Sequence, residues 1–153
     1  MTVPRLYFDT SVFGGIYDIE FQRETELLFD MVKNGEIICV YSDLCEYELE
    51  NAPQFVKDHF LNLNREHTEF VEITEEINKL AEEYVNEKVV GQTSIDDCRH
   101  IACGTINKVD YLISWNFKHI VNVFRIRGYN AINIKYGHIQ LDIRSPKEII
   151  TNE

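Results

Sequence analysis

The sequence predicts an α/β protein, a three-layer α/β/α sandwich around a central parallel sheet. Three observations point there. Short apolar runs, VPRLYF at 3–8, EIICVY at 36–41 and VDYLIS at 109–114, read as strands. Segments with apolar residues at helical spacing lie between them. The strands are apolar throughout rather than alternating, as strands covered on both faces must be.

The elements follow in order. Strand 3–8 stops abruptly at Asp9, and residues 10–18 form a helical turn or loop with Gly14-Gly15 as a soft point. The next helix, 22–34, carries Leu27, Leu28, Met31 and Val32 on one side and ends at Gly35, a glycine in the position that favours left-handed backbone. After strand 36–41, Ser42 reads as the N-cap of a helix over 43–51. Pro53 opens a further helix over 53–64, since proline is tolerated in a first turn. A short strand at 69–73 precedes a helix at 75–87, capped by Thr74, with Ile77, Leu80, Ala81 and Tyr84 on one face. Gly91 to Thr93 break the pattern, and Ser94 starts a helix over 95–107. Strand 109–114, a helix at 118–128 and a strand AINIK at 131–135 follow. The tail around Pro146 reads as loop and a short turn.

The chain has 153 residues, 44% hydrophobic and 12% aromatic, enough to bury a core in one domain spanning 1–153. Disorder needs low hydrophobicity, and only 3 prolines and 7 glycines exclude collagen-like and low-complexity classes. No apolar run approaches the ~18 residues of a membrane span. The N-terminal stretch lacks a signal-peptide cleavage region, so the expected location is the cytoplasm. Cys39, Cys45, Cys98 and Cys103 match no zinc-site spacing and read as buried thiols. Charge is uneven. Residues 1–97 hold 7 basic and 22 acidic residues, a net of −15, whereas 98–153 hold 8 and 4, a net of +4. Acidity over most of the chain argues against broad, passive nucleic-acid binding and leaves room for a local basic strip in the last third.

In open α/β sheets, chemistry collects at the carboxyl ends of strands. Asp9 ends the first strand. Ser42 ends the second, with Glu46 and Glu48 in the helix just after it. Asp96 and Asp97 open the helix before the third strong strand, which ends in Ser114 and Asn116. Carboxylates and an amide from four segments therefore converge on one edge. Converging carboxylates repel unless a cation lies between them, and hard oxygen ligands suit Mg²⁺ or Mn²⁺. Such an ion activates water and stabilises charge on a phosphoryl oxygen, which implies phosphodiester hydrolysis.

The segments LYFDTSVFGG, VYSDLCEYEL, SIDDCRHIA and VDYLISWNF resemble the successive acidic motifs of PIN-domain nucleases, a family that includes VapC-type toxins and RNA-processing enzymes. The resemblance covers roughly residues 3–135. It implies cleavage of RNA, single-stranded or looped, dependent on Mg²⁺ or Mn²⁺. Carried over by motif, Asp9, Glu48 and Asp97 match the metal-binding acids. Asn116 falls where many members carry a fourth aspartate, which removes one charge and favours a one-metal site. Ser11 and Ser114 match hydroxyl residues that orient ligands or water.

Each residue also has a plainer reading. Asp9 is a favoured N-cap. A haloacid dehalogenase type of phosphatase also begins with a strand and an aspartate, but it needs a second aspartate where Ser11 stands. Glu46 and Glu50 share a helix face that Glu48 does not, and the choice of Glu48 rests on the motif. Ser94-x-x-Asp97 resembles a capping box, which would leave Asp96 as the ligand. Asn116 suits a turn, and His100 reads as a satisfied core histidine. Arg99, Lys118, His119, Arg125 and Arg127 are candidates for RNA phosphates or plain surface charge. Trp115 either stacks an RNA base or packs in the core, and the acidic helices at 66–88 read as a solvated outer face. The functional expectation is a metal-dependent ribonuclease with RNA as substrate. The toxin role, with a cognate antitoxin protein, and homodimerisation follow from the resemblance alone. A PIN-like module that binds RNA or protein without chemistry is the alternative.

Overall fold

The computed structural model describes residues 2–88 and 94–150. Its strands are β1 (Arg5–Phe8), β2 (Ile38–Ser42), β3 (Thr68–Val71), β4 (Tyr111–Ile113) and β5 (Ile143–Arg144). Among the described residues they form one sheet in the order β3-β2-β1-β4-β5, with each neighbouring pair parallel. The apolar runs account for this arrangement. β1 is central, and Leu6, Tyr7 and Phe8 are fully covered, as a strand between two helical layers requires.

The helices are α1 (Thr10–Gly14), α2 (Gln22–Lys33), α3 (Asp43–Leu49), α4 (Gln54–Leu61), α5 (Glu75–Asn86), α6 (Ile95–Ile106), α7 (Val123–Lys135) and α8 (Pro146–Ile150), with 3₁₀ turns at Gly15–Tyr17 and Arg65–His67. α5 packs on α6 and α7, α2 on α8, and α1 on α3 and α4. The result is the expected three-layer α/β/α sandwich. Among the described residues no helix is long and apolar enough to cross a membrane, and all four cysteines are buried free thiols.

Local signals in the chain act where expected. α2 ends at Gly35, which has φ +75°, and Gly35 N–H donates to Val32 while Glu36 N–H donates to Met31. These two bonds form a Schellman closure, which satisfies the last carbonyls of the helix. Ser42 and Thr74 cap α3 and α5 through bonds from Cys45 N–H and Ile77 N–H. The break expected at Gly91 to Thr93 lies outside the described residues.

The last third differs from expectation. Instead of a helix at 118–128 and a strand at 131–135, one helix, α7, runs through Val123–Lys135. Asn122 starts it, its side-chain oxygen accepting from the N–H groups of Phe124 and Arg125. In AINIK a strand would put Ile132 and Ile134 on one face. In the helix Ile132 is buried and Ile134 exposed, and the polar Asn133 points inward to Thr105 and the Tyr84 hydroxyl. Alternation over five residues could not separate these cases. The fifth strand lies instead at Ile143–Arg144 against β4, too short to carry a pattern, and Pro146 opens α8 rather than a loop.

Candidate active site

The chain enters the sheet at its centre, moves outward through β2 and β3, and returns to the other side of β1 as β4. The carboxyl ends of β1 and β4 are therefore neighbours at the point where the winding direction switches, which is where open α/β sheets form clefts. Asp9 follows β1 and is only 4% exposed. Its Oδ1 accepts from the Ser11 N–H and hydroxyl, and its Oδ2 accepts from Ser114 Oγ at 2.9 Å. Asp9 is thus the N-cap of α1 and, in the same side chain, a buried carboxylate held at the β1–β4 edge. Ser11 Oγ in turn accepts from Trp115 N–H, and Ser114 Oγ from Asn116 N–H, both at 2.9 Å. Burial raises the Asp9 pKa, and the bonds from the two serines and the charge of His100 oppose that rise.

Glu48 reaches the same edge from α3. Its Oε1 accepts from Thr10 Oγ1 and from His100 Nε2, each at 2.6 Å. Burial would push its pKa up, but these two bonds outweigh it and hold the carboxyl below the usual glutamate range. Glu46 and Glu50, on the other face of α3, are exposed. Asp97 comes from the first turn of α6. Its pKa is pushed up to about 6, first by burial and then by the negative charges of Asp9, Glu48 and Asp96, with His100 opposing. The three motif carboxylates are therefore within electrostatic reach of one another. The N-cap Ser94 accepts from Asp96 N–H, and Asp96 forms an ion pair with Arg99 at 2.6 Å.

Asn116 sits beside Asp97, its Nδ2 3.5 Å from Asp97 Oδ2. Its carbonyl oxygen accepts from His119 N–H at 2.9 Å. That backbone donor fixes which end of the amide faces which way, so the NH₂ group is turned to Asp97. Asn116 is thus a turn residue that offers the site a donor rather than a ligand oxygen.

His100 fits the core reading and adds to it. It is 2% exposed and satisfied, as a core histidine should be, but one of its partners is Glu48. Burial disfavours its cation, yet Cys45 and Glu48 outweigh burial and raise its pKa well above the ordinary value. Thr10 and His100 were not singled out as site residues from the sequence. The available signal was that His100 lies three residues after Asp97, and so on the same side of the helix.

Of the RNA-facing candidates, Trp115 is corrected and Arg99 has protein partners. Trp115 is 6% exposed, stacked on Phe21 at 4.1 Å, and its Nε1–H donates to Thr25. It is a core ring, covered by the aromatic residues that follow α1 and Asn116. Arg99 is committed to Asn78 and Asp96. Lys118 and Arg127 are exposed and Arg125 is half-buried. Burial, then the charges of Arg125 and Lys118, push His119 below its ordinary pKa, which marks a basic strip after Asn116.

Among the described residues, no three His, Cys, Asp or Glu side chains already form a metal-holding group. The chemistry of the donors nonetheless fits a hard divalent cation. Asp9, Glu48 and Asp97 offer only carboxylate oxygens, and the rise of Asp97, owed first to burial, is increased by neighbouring negative charge that a cation would offset.

No protein-family model and no curated protein matches the sequence. Solved structures do. VapBC2 from Rickettsia felis, bound to a DNA fragment from its promoter, superposes with a TM-score of 0.56 at 12% identity, over 92% of this chain and 98% of that one. VapC20 of Mycobacterium tuberculosis, a sarcin–ricin loop cleaving toxin, gives 0.57 at 10% identity, over 90% and 98%. The fold is that of a VapC-type PIN domain. At these identities the likeness lies in the VapC-like backbone, and what this chain does must be argued from its own side chains.

Proposed function

We propose that this protein is a divalent-metal-dependent endoribonuclease of the VapC kind. The observation that carries the reading is that Asp9, Glu48 and Asp97 lie within electrostatic reach of one another by the β1–β4 switch point, where burial first and the neighbouring carboxylates second lift Asp97 to about 6. Carboxylates gathered at one sheet edge, with one of them held above its ordinary pKa, suit a site for a cation. Asp9, Glu48 and Asp97 would hold Mg²⁺ or Mn²⁺. When bound, such an ion lowers the pKa of a coordinated water and stabilises charge on a phosphoryl oxygen. Ser11 and Ser114 fix the Asp9 carboxylate by donating to both its oxygens. Asn116 steadies Asp97, and the basic strip of Lys118, Arg125 and Arg127 binds RNA phosphates. Such an enzyme acts in the cytoplasm, where its substrate is.

The toxin role is part of the same reading. The solved VapBC2 offers the precedent, and a cognate antitoxin and a homodimer would be the protein partners of this chain. Tyr17, Ile19 and Phe55 expose apolar surface suited to such contact. A binding module without chemistry is the second reading, favoured by the amide at Asn116. Labelled single-stranded RNA separates the two. Metal-stripped protein should cleave it only after Mn²⁺ or Mg²⁺ is restored, and Asp97→Asn should not cleave it at all. Binding without metal-dependent turnover would favour the module. Equal cleavage by parent and variant would indicate a contaminating nuclease and refute the assignment of that activity to this site.

A further inference from the structure

A buried hydrogen-bond chain runs from Glu48 into the centre of the sheet. His100 Nε2 contacts Glu48 Oε1 at 2.6 Å, and His100 Nδ1 lies 2.7 Å from the Tyr7 hydroxyl. That hydroxyl lies 2.7 Å from Ser42 Oγ. Ser42 caps the helix that carries Glu48, so the chain closes on itself. His100 comes from α6, Tyr7 from β1, and Ser42 and Glu48 from the two ends of α3. His100, Tyr7 and Ser42 are all buried, which denies them alternative rotamers. Thr10 Oγ1 adds a second donor to the same Glu48 oxygen at 2.6 Å.

The consequence is specific to one oxygen. Oε1 accepts two bonds, while among the described residues Oε2 accepts none. A glutamate on an open helix face keeps much of its rotamer freedom, and ordering it costs side-chain entropy. Here that ordering is supplied before any ion arrives. We infer that Thr10 and His100 are positioning residues that clamp Glu48 by Oε1 and leave Oε2 alone to face a divalent cation. The clamp needs only a proton on His100 Nε2, so a neutral ring serves as well as a charged one. Outer partners of this kind orient a ligand and raise the affinity of its site. The inference rests on the nuclease reading of the same carboxylates.

Calorimetric titration of the full chain with Mn²⁺ tests it, alongside RNA cleavage and thermal melting. Thr10→Val removes one donor at nearly constant shape, and His100→Gln removes the ring. Each should weaken Mn²⁺ binding by about 10–100-fold and lower kcat while leaving the KM for RNA unchanged. Thr10→Ser, which restores the hydroxyl, should recover most of the lost affinity. If His100→Gln fails to fold, the Thr10 pair decides alone. Wild-type Mn²⁺ affinity in Thr10→Val, with binding intact in the parent and lost in Asp97→Asn, overturns the clamp and spares the nuclease reading. Absence of Mn²⁺ binding and cleavage in the parent overturns both.

Discussion

Asp97→Asn should make the metal-free protein more stable while abolishing Mn²⁺ binding at the proposed site. The magnitude follows from the burial of Asp97 and, after it, from the carboxylates around it. Asp97 rises from an ordinary 3.8 to about 6 in the fold, and each unit is worth about 1.36 kcal/mol. Two units give roughly 3 kcal/mol as a ceiling, and partial exposure of the side chain reduces this to about 1–2 kcal/mol. The folded pKa lies above the unfolded one, so the folded state carries the full penalty above about pH 6. The penalty falls away as pH drops from 6 toward 4, where both states become protonated. The gain from Asn should therefore be largest near pH 8 and shrink to about a third of that by pH 4.5. For a chain of this length it corresponds to a rise in Tm of about 3–6 °C. Melting parent and variant in EDTA at the two pH values measures it. A variant less stable than its parent at pH 8, or a gain independent of pH, would refute the view that burial and the neighbouring carboxylates hold Asp97 at a cost to the fold.

The remaining expectations can be checked together. Glu48→Gln should lower RNA cleavage by roughly 100-fold or more, because losing a partner one bond further out already costs about 10–100-fold. Glu46→Gln, on the exposed face of α3, should leave cleavage rates at the parent level in the same assay. Trp115→Ala should cost about 3–5 kcal/mol in urea unfolding, as large-to-small changes at stacked core rings do, with no change in the KM for RNA of the folded enzyme. Gly15→Ala should cost about 1–3 kcal/mol by the same measurement, since a Cβ there would lie 2.5 Å from Thr25 Oγ1 and 2.6 Å from Trp115 Nε1. Asn116→Asp adds a carboxylate beside Asp97, and calorimetry should find tighter Mn²⁺ binding and a less stable metal-free protein.

The parallel sheet was legible because strands buried on both faces leave uninterrupted apolar runs, and each run stops where a polar residue meets the cleft. Asp9, Ser42 and Ser114 were visible for that reason. Glu48 was not separable from Glu46 and Glu50 by periodicity. What distinguishes it is contact with Thr10 and His100, 38 and 52 positions away, and local sequence carries no trace of that. Trp115 beside Asn116 looked placed for stacking, but Phe21 covers it from a segment far earlier in the chain. The error at 131–135 had a local cause. Ile132 and Ile134 alternate as in a strand, and the helix is set by the cap at Asn122 and by inward bonds from Asn133.

Asp9 serves two masters. Its carboxylate starts α1 through Ser11, and its backbone N–H and side chain together join the ends of β1 and β4. Selection for a folded chain would therefore preserve Asp9 even in a descendant that had stopped cleaving anything. Asp97 is the reverse case, a residue whose ionised form costs the fold and which only the proposed chemistry would repay. When lineages of this fold are sorted into active and silent members, retention of the first aspartate says little. The acid at the start of α6 is the better witness.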